Sequence, residues 1–199
     1  MSMIRVRGLT LVYWINEVVS LERIAIIGSS GAGKSTLARR LGEQTGLPVY
    51  HLDVLHWKPN WVLISKEDQR VIQKVLVKRP EWIIDGNYGG TLDIRIEAAD
   101  TVIFLDFKRT LCLYRVMKRA FQYRNKRRPD MHEGNREHID LAFYRWIWRF
   151  PLDQRPIIID QLEQLSDETE VIWLRTPKDV EDFLNRVKEK DECDESMEH

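Results

Sequence analysis

The chain lacks net charge: Lys and Arg number 31, and Asp and Glu also number 31. That excludes a protein whose whole surface is an electrostatic footprint for nucleic acid, while leaving room for a local basic patch. Cysteine is nearly absent. Cys112 and Cys193 lie far apart, and neither is flanked by a second thiol. A disulfide framework and a four-cysteine zinc site are both excluded, and a reducing cytoplasm is the expected compartment. A long apolar run is missing as well. The stretch 8–15, behind Arg5 and Arg7, is interrupted by Thr10 and stopped by Asn16. It falls short of the roughly 20 residues a membrane span needs, and no small-residue cleavage site follows it.

What is present is an ordinary globular composition, 43% hydrophobic and 31% charged over 199 residues. That length fits one α/β domain with a substantial core and an inserted lid. No internal repeat and no linker divides the chain. The domain is expected at 21–187, with 1–20 a peripheral extension and the charge-rich 188–199 a fraying tail.

Between the ends, apolar β-type runs alternate with helical patterning. Residues 23–27 (RIAII) read as a parallel strand buried on both faces. A helix is predicted at 34–44, a second strand at 49–52 ending at Asp53, and a helix at 66–78 capped by Ser65, with Val71, Val75 and Leu76 marking its periodicity. Strands at 82–84 and 101–105 run into Asp85 and Asp106. Helices follow from Thr110 to about Tyr123 and on either side of a final strand at 170–174. Such alternation predicts a parallel sheet covered on both faces, with ligands outside the carboxyl ends of its strands. Three strands end in Asp and a fourth ends in a glycine loop, which places polar groups along that one edge.

Residues 28–35, GSSGAGKS, match G-x-x-x-x-G-K-[ST]. Gly28, Gly31 and Gly33 let the backbone curl, so that N–H groups of Ser29, Ala32 and their neighbours converge on phosphate oxygens. The helix opening at Lys34 and continuing through Ser35 and Thr36 adds its positive dipole end. Lys34 suits the β/γ-phosphates, and the Ser35 hydroxyl suits Mg²⁺. The loop follows a strand and opens a helix, which is the context this chemistry requires, so the chain is expected to bind a nucleoside triphosphate.

Three further features point to phosphoryl transfer. Asp53, within HLDVLHW, either orients an acceptor hydroxyl across the cleft or caps a turn. Asp85, followed by Gly86, either acts on the Mg²⁺ shell and the acceptor or closes a simple Asp-Gly turn. From Lys108 to Arg128 nine basic residues occur without an acidic one; Arg115 and Arg119 share a helix face and are placed over the triphosphate. Arg145 and Arg149 repeat that spacing and are expected to flank the same cleft. The aromatic helix around Phe143, Trp146 and Phe150 is expected to pack inside the domain.

Together with the phosphate loop, the segments HLDVLHW, WIIDGNYGGTLDIRIEAADTVIFLD, RNKRRPDM and FYRWIWRF resemble the proteins labelled DNA topology modulation protein, FlaR-related. These are relatives of adenylate kinase among the P-loop kinases, and the resemblance spans about 23–183. It implies a three-layer α/β P-loop fold, adenylate-kinase-like, with about five parallel strands. It also implies an arginine-rich lid at about 124–138, with ATP and Mg²⁺ as cofactors. By that resemblance Arg95 looks like an acceptor-phosphate arginine, and Arg119, Arg124, Arg127 and Arg128 look like lid arginines. Asn87 and Tyr88 stand where adenylate kinases carry an aromatic residue, Pro and Arg, which weighs against AMP as acceptor. The expected function is transfer of the γ-phosphate of ATP to a small, nucleotide-like or other acceptor. The competing expectation is an ATP-dependent DNA-binding protein whose basic run contacts backbone phosphates.

Overall fold

The computed structural model describes residues 4–6, 9–11, 21–123 and 141–197, with side chains from 21 to 123 and from 141 to 189. Arg124, Arg127, Arg128 and the whole of the expected lid lie outside the described residues. Strands β1 (Ile4–Val6) and β2 (Leu9–Leu11) pair antiparallel with each other.

Strand β3 (Arg23–Gly28) leads into α1 (Lys34–Thr45). Next come β4 (Val49–His51), α2 (Leu52–His56), the short antiparallel pair β5 (Trp57–Lys58) and β6 (Val62–Leu63), and α3 (Lys66–Leu76). The second half runs β7 (Trp82–Asp85), α4 (Leu92–Ala98), β8 (Thr101–Leu105) and α5 (Arg109–Gln122). It finishes with α6 (Leu141–Asp153), α7 (Arg155–Glu163), β9 (Glu170–Leu174) and α8 (Pro177–Met197). Five strands form one parallel sheet in the order β4-β7-β3-β8-β9.

The strands are apolar along their length because each serves two layers. Ile24, Ile26, Ile83, Ile103 and Leu105 face a core shared with α1, α5 and α8. Ala25, Ile27, Trp82, Ile84, Val102 and Phe104 face the opposite core, against α4 and α7. Helix α6 serves both, through Ile147 on one side and Phe150 on the other. Burial of this kind stabilises by about 25 cal/mol per Å² of apolar surface, and an unbroken apolar strand is its sequence signature. No helix of the described residues is long and apolar enough to cross a membrane.

Two expectations need correction. Strand β4 stops at His51, so Asp53 lies in the first turn of α2 rather than at a strand end. The cause is the ladder: His51 pairs with Asp85, the last residue of β7, and beyond it no neighbour remains to hold an extended chain. Ser65 does cap α3, accepting from Asp68 N–H at 3.0 Å. Yet Val71 and Val75 are 61% and 58% exposed, whereas Gln69 and Gln73 point inward with Leu76. Helix α8 continues to Met197.

Candidate active site

The loop between β3 and α1 is shaped by what lies behind it. Gly31 carries φ +81°, and a Cβ there would stand 2.4 Å from the Cys112 carbonyl oxygen and 2.8 Å from Val116. Helix α5 presses so closely that only glycine fits. Lys34 Nζ donates to the carbonyls of Gly28 and Ser29, each at 3.0 Å, lying back over the loop. Burial pulls its pKa below the usual lysine value, opposed by Asp53 and Asp85. Residues Ser30 to Thr36 line a cavity of about 810 Å³. Gly28 and Ser29 are not on its wall, and the Ser29 side chain is only 3% exposed.

Asp85 is 3% exposed. Its Oδ2 accepts from Ser35 Oγ at 2.7 Å, and its Oδ1 meets His51 Nδ1. It therefore reaches the cavity through Ser35 and does not line it. A hydroxyl backed by a buried carboxylate suits a hard cation such as Mg²⁺, which takes few protein ligands beside phosphate oxygens and water.

Asp53 differs from Asp85 in almost every respect. It is exposed on the cavity wall, and its Oδ1 accepts from Tyr88 OH at 2.7 Å. Burial, first, and the Asp53 charge push the Tyr88 phenol far above its ordinary pKa, so it stays a donor. His56 packs edge-on against Tyr88 with ring centroids 4.3 Å apart. Burial and the Arg95 charge lower His56 to a pKa of about 4. The third strand-end carboxylate, Asp106, is structural: Arg155 and Trp173 bind both its oxygens at 3.0–3.1 Å.

Of the arginines singled out in the sequence, Arg115 and Arg119 line the cavity, joined there by Arg40 of α1. Arg115 also donates to the Ala32 carbonyl at 3.1 Å, tying α5 to the loop. Arg95, an acceptor-phosphate arginine by the resemblance, is not on the cavity wall. It is fully buried, and its guanidinium donates to Gln73 Oε1, the Thr91 carbonyl and the Gly86 carbonyl. Burial lowers its pKa to about 10 despite Asp85, Asp93 and Tyr88. A charge enclosed in this way needs those acceptors and is not available to a substrate phosphate. Gly86 supplies one of them and is itself packed against Leu52. Arg145 and Arg149 are absent from the wall; Arg149 pairs with Asp153 on its own helix.

Other wall residues stand apart from the carboxylates and arginines of the sequence reading. Phe143, Pro177 and Val180 border one end of the cavity, and Trp57 and Trp61 border it with Asp53. Pro177 opens α8 just after a turn that Asp179 builds by accepting from the N–H groups of Arg175 and Thr176. The signal for Trp57 was its place four residues beyond Asp53. Phe143 carried none beyond belonging to an aromatic helix.

No protein-family model and no curated protein matches the chain. Solved structures do. The shikimate kinase from Acinetobacter baumannii in complex with shikimate is 19% identical, covering 85% of this chain and 92% of that one, with a TM-score of 0.53. The shikimate kinase from Bacteroides thetaiotaomicron is 15% identical, covering 86% and 98%, with a TM-score of 0.52. At these identities the likeness establishes the fold alone, a three-layer α/β fold shared with those two proteins.

Proposed function

We propose that this chain is a phosphotransferase that moves the γ-phosphoryl group of ATP to a hydroxyl of a small acceptor. The observation that carries this reading is the extent of the cavity. Its lining takes in Pro177 and Val180, which follow β9 at one edge of the sheet, the glycine loop after the central β3, and the Asp53 carboxylate, which follows β4 at the other edge. A site for nucleotide binding alone has no need of a carboxylate at its far end. The kinases named above share the fold and so support the reading without fixing the substrate.

In this reading the loop amides and Lys34 hold the phosphates, with Arg115 and Arg119 placed for charge on the transferred group. A divalent cation at Ser35, backed by Asp85, would screen that charge. Asp53, oriented by Tyr88, takes the proton from the acceptor hydroxyl as its oxygen bonds to phosphorus. The bond from phosphorus to the β–γ bridging oxygen breaks, and its electron pair leaves with ADP. Arg124, Arg127 and Arg128 belong to the proposal as lid arginines on the strength of the resemblance. Kinship with the FlaR-related proteins is likewise proposed, supported by the ordered motifs. Arg115 and Arg119 line a cavity rather than an outer face, which favours small-molecule transfer over contact with DNA.

The test is ADP release from Mg-ATP across nucleosides, nucleoside monophosphates and small metabolites. At least one compound should raise turnover above the water background, and Lys34→Ala should lower that turnover about 100-fold or more. If nothing in the panel does so while duplex DNA does, the kinase reading is dropped.

A further inference from the structure

Between α1 and β8 the described chain contributes three residues to the cavity wall: Asp53, Trp57 and Trp61. The indoles meet edge to face, with ring centroids 5.5 Å apart and planes at 78°. Both are half-buried and neither belongs to either apolar core. Trp61 is held at the wall by unusual backbone. Asn60 lies at φ 63°, ψ 31°, and Trp61 itself at φ 56°, so two successive residues with side chains occupy the left-handed region. A bulky residue rarely adopts that conformation, and such strain gathers where a ligand is held.

Charge is distributed unevenly around the cavity. The described cations on its wall are Lys34 and Arg40 from α1 and Arg115 and Arg119 from α5. The stretch 46–100 puts none there. Arg70 is bound to Asp93 at 2.9 Å and to the Gly90 carbonyl at 3.0 Å, Arg79 lies over the Tyr50 ring, and Arg95 is enclosed. A phosphate monoester carries a charge near −2 at neutral pH, and here it would meet a carboxylate and two indoles.

Building on the phosphotransferase reading, we infer that the acceptor is an uncharged, ring-bearing alcohol whose flat face stacks on one indole of the Trp57–Trp61 pair, with its edge against the other, while its hydroxyl reaches Asp53. Indoles bind such faces whatever the ring's substituents, as base stacking on aromatic platforms illustrates. A nucleoside and a cyclic sugar alcohol share this chemistry. The arms of the experiment separate them, and they include monophosphates because Arg124, Arg127 and Arg128 lie outside the described residues.

The experiment titrates the full chain, saturated with Mg²⁺ and a non-hydrolysable ATP analogue, while following tryptophan fluorescence. Saturation keeps adenine compounds out of the nucleotide end. The probes are the four ribonucleosides, their 5′-monophosphates, glucose, inositol and choline. A nucleoside or a sugar alcohol should change the emission, and a monophosphate should bind no tighter than its nucleoside. Trp57→Ala and Trp61→Ala should each weaken binding about tenfold with affinity for the ATP analogue unchanged. Trp57→Phe and Trp61→Phe should restore most of it, which a merely structural role would not require, and they serve where an Ala variant fails to fold. The inference is overturned if no probe changes the emission, or if choline alone does. It is also overturned if a monophosphate binds tenfold tighter than its nucleoside, or if all the tryptophan variants bind normally. Binding without ADP release sinks the phosphotransferase reading and leaves the site standing. Acceptor-dependent ADP release untouched by all the tryptophan variants does the reverse.

Discussion

Two carboxylates at one sheet edge are given opposite circumstances, and their substitutions should separate accordingly. Asp53 is exposed, with Tyr88 as its described hydrogen-bond donor. Asp53→Asn removes a proton acceptor and little else, so acceptor-dependent ADP release should fall about 10²–10⁴-fold with stability changed by less than about 0.5 kcal/mol. Asp85 is enclosed and binds Ser35 and His51 at once. Asp85→Asn cannot offer both neighbours the same carboxylate, so it should lose activity and also about 1–3 kcal/mol of stability. Steady-state kinetics and urea denaturation of the two variants decide the matter. Near-normal turnover in Asp53→Asn would remove Asp53 from the chemistry. Asp85 was legible in the sequence because an apolar strand running into Asp is a simple pattern, and Asp53 was found by the same rule although its strand gives way to α2 at Leu52. Arg95 was not, for a lone arginine on a short helix reads the same whether it faces a ligand or a buried carbonyl.

At the scale of the element, α3 shows how a buried charge overrides hydrophobic periodicity. The pattern of Val71, Val75 and Leu76 picks an apolar face, but the helix turns Gln73 inward, fully buried. Gln73 donates to Thr91 Oγ1 at 2.6 Å and accepts from Arg95 at 3.1 Å, so the guanidinium sets the rotation of a helix 22 residues away in sequence. A rule that counts apolar spacing has no access to that long-range pairing. The cap at Ser65 was legible because capping is local. Gln73→Ala strips a buried charge of one acceptor and should cost about 2–4 kcal/mol. Val71→Lys and Val75→Lys, on the exposed face, should stay within about 0.5 kcal/mol. Urea midpoints for the three variants test this, and destabilisation by the lysines with tolerance of Gln73→Ala would place the helix the other way round.

Across the whole molecule, the sheet was legible because every central strand is apolar on both faces, while the two ends of that sheet hold ionisable groups the composition cannot reveal. His56, behind the carboxyl edge, is fully buried with both ring nitrogens unpartnered, and its pKa falls from 6.5 to about 4. Folding favours its neutral form, so its stabilisation is complete above pH 6.5 and is lost as pH falls toward 4. Glu170 opens β9 at the amino edge, beside Asp100, with a buried oxygen lacking a partner. Burial, then repulsion from Asp100, raise its pKa from 4.5 to about 7. Here folding favours the protonated acid, and its stabilisation is complete below pH 4.5 and is lost as pH rises through 7. Between pH 5 and 6.5 the two gradients oppose each other, and each should be unmasked when the other is removed. Relative to the unsubstituted chain, Glu170→Gln should make the urea midpoint climb more steeply with pH over that window. His56→Phe, which keeps the ring against Tyr88, should make it decline. The check is a set of denaturation curves at half-unit pH steps for the three proteins; profiles that run parallel would show that neither group is held away from its ordinary ionisation.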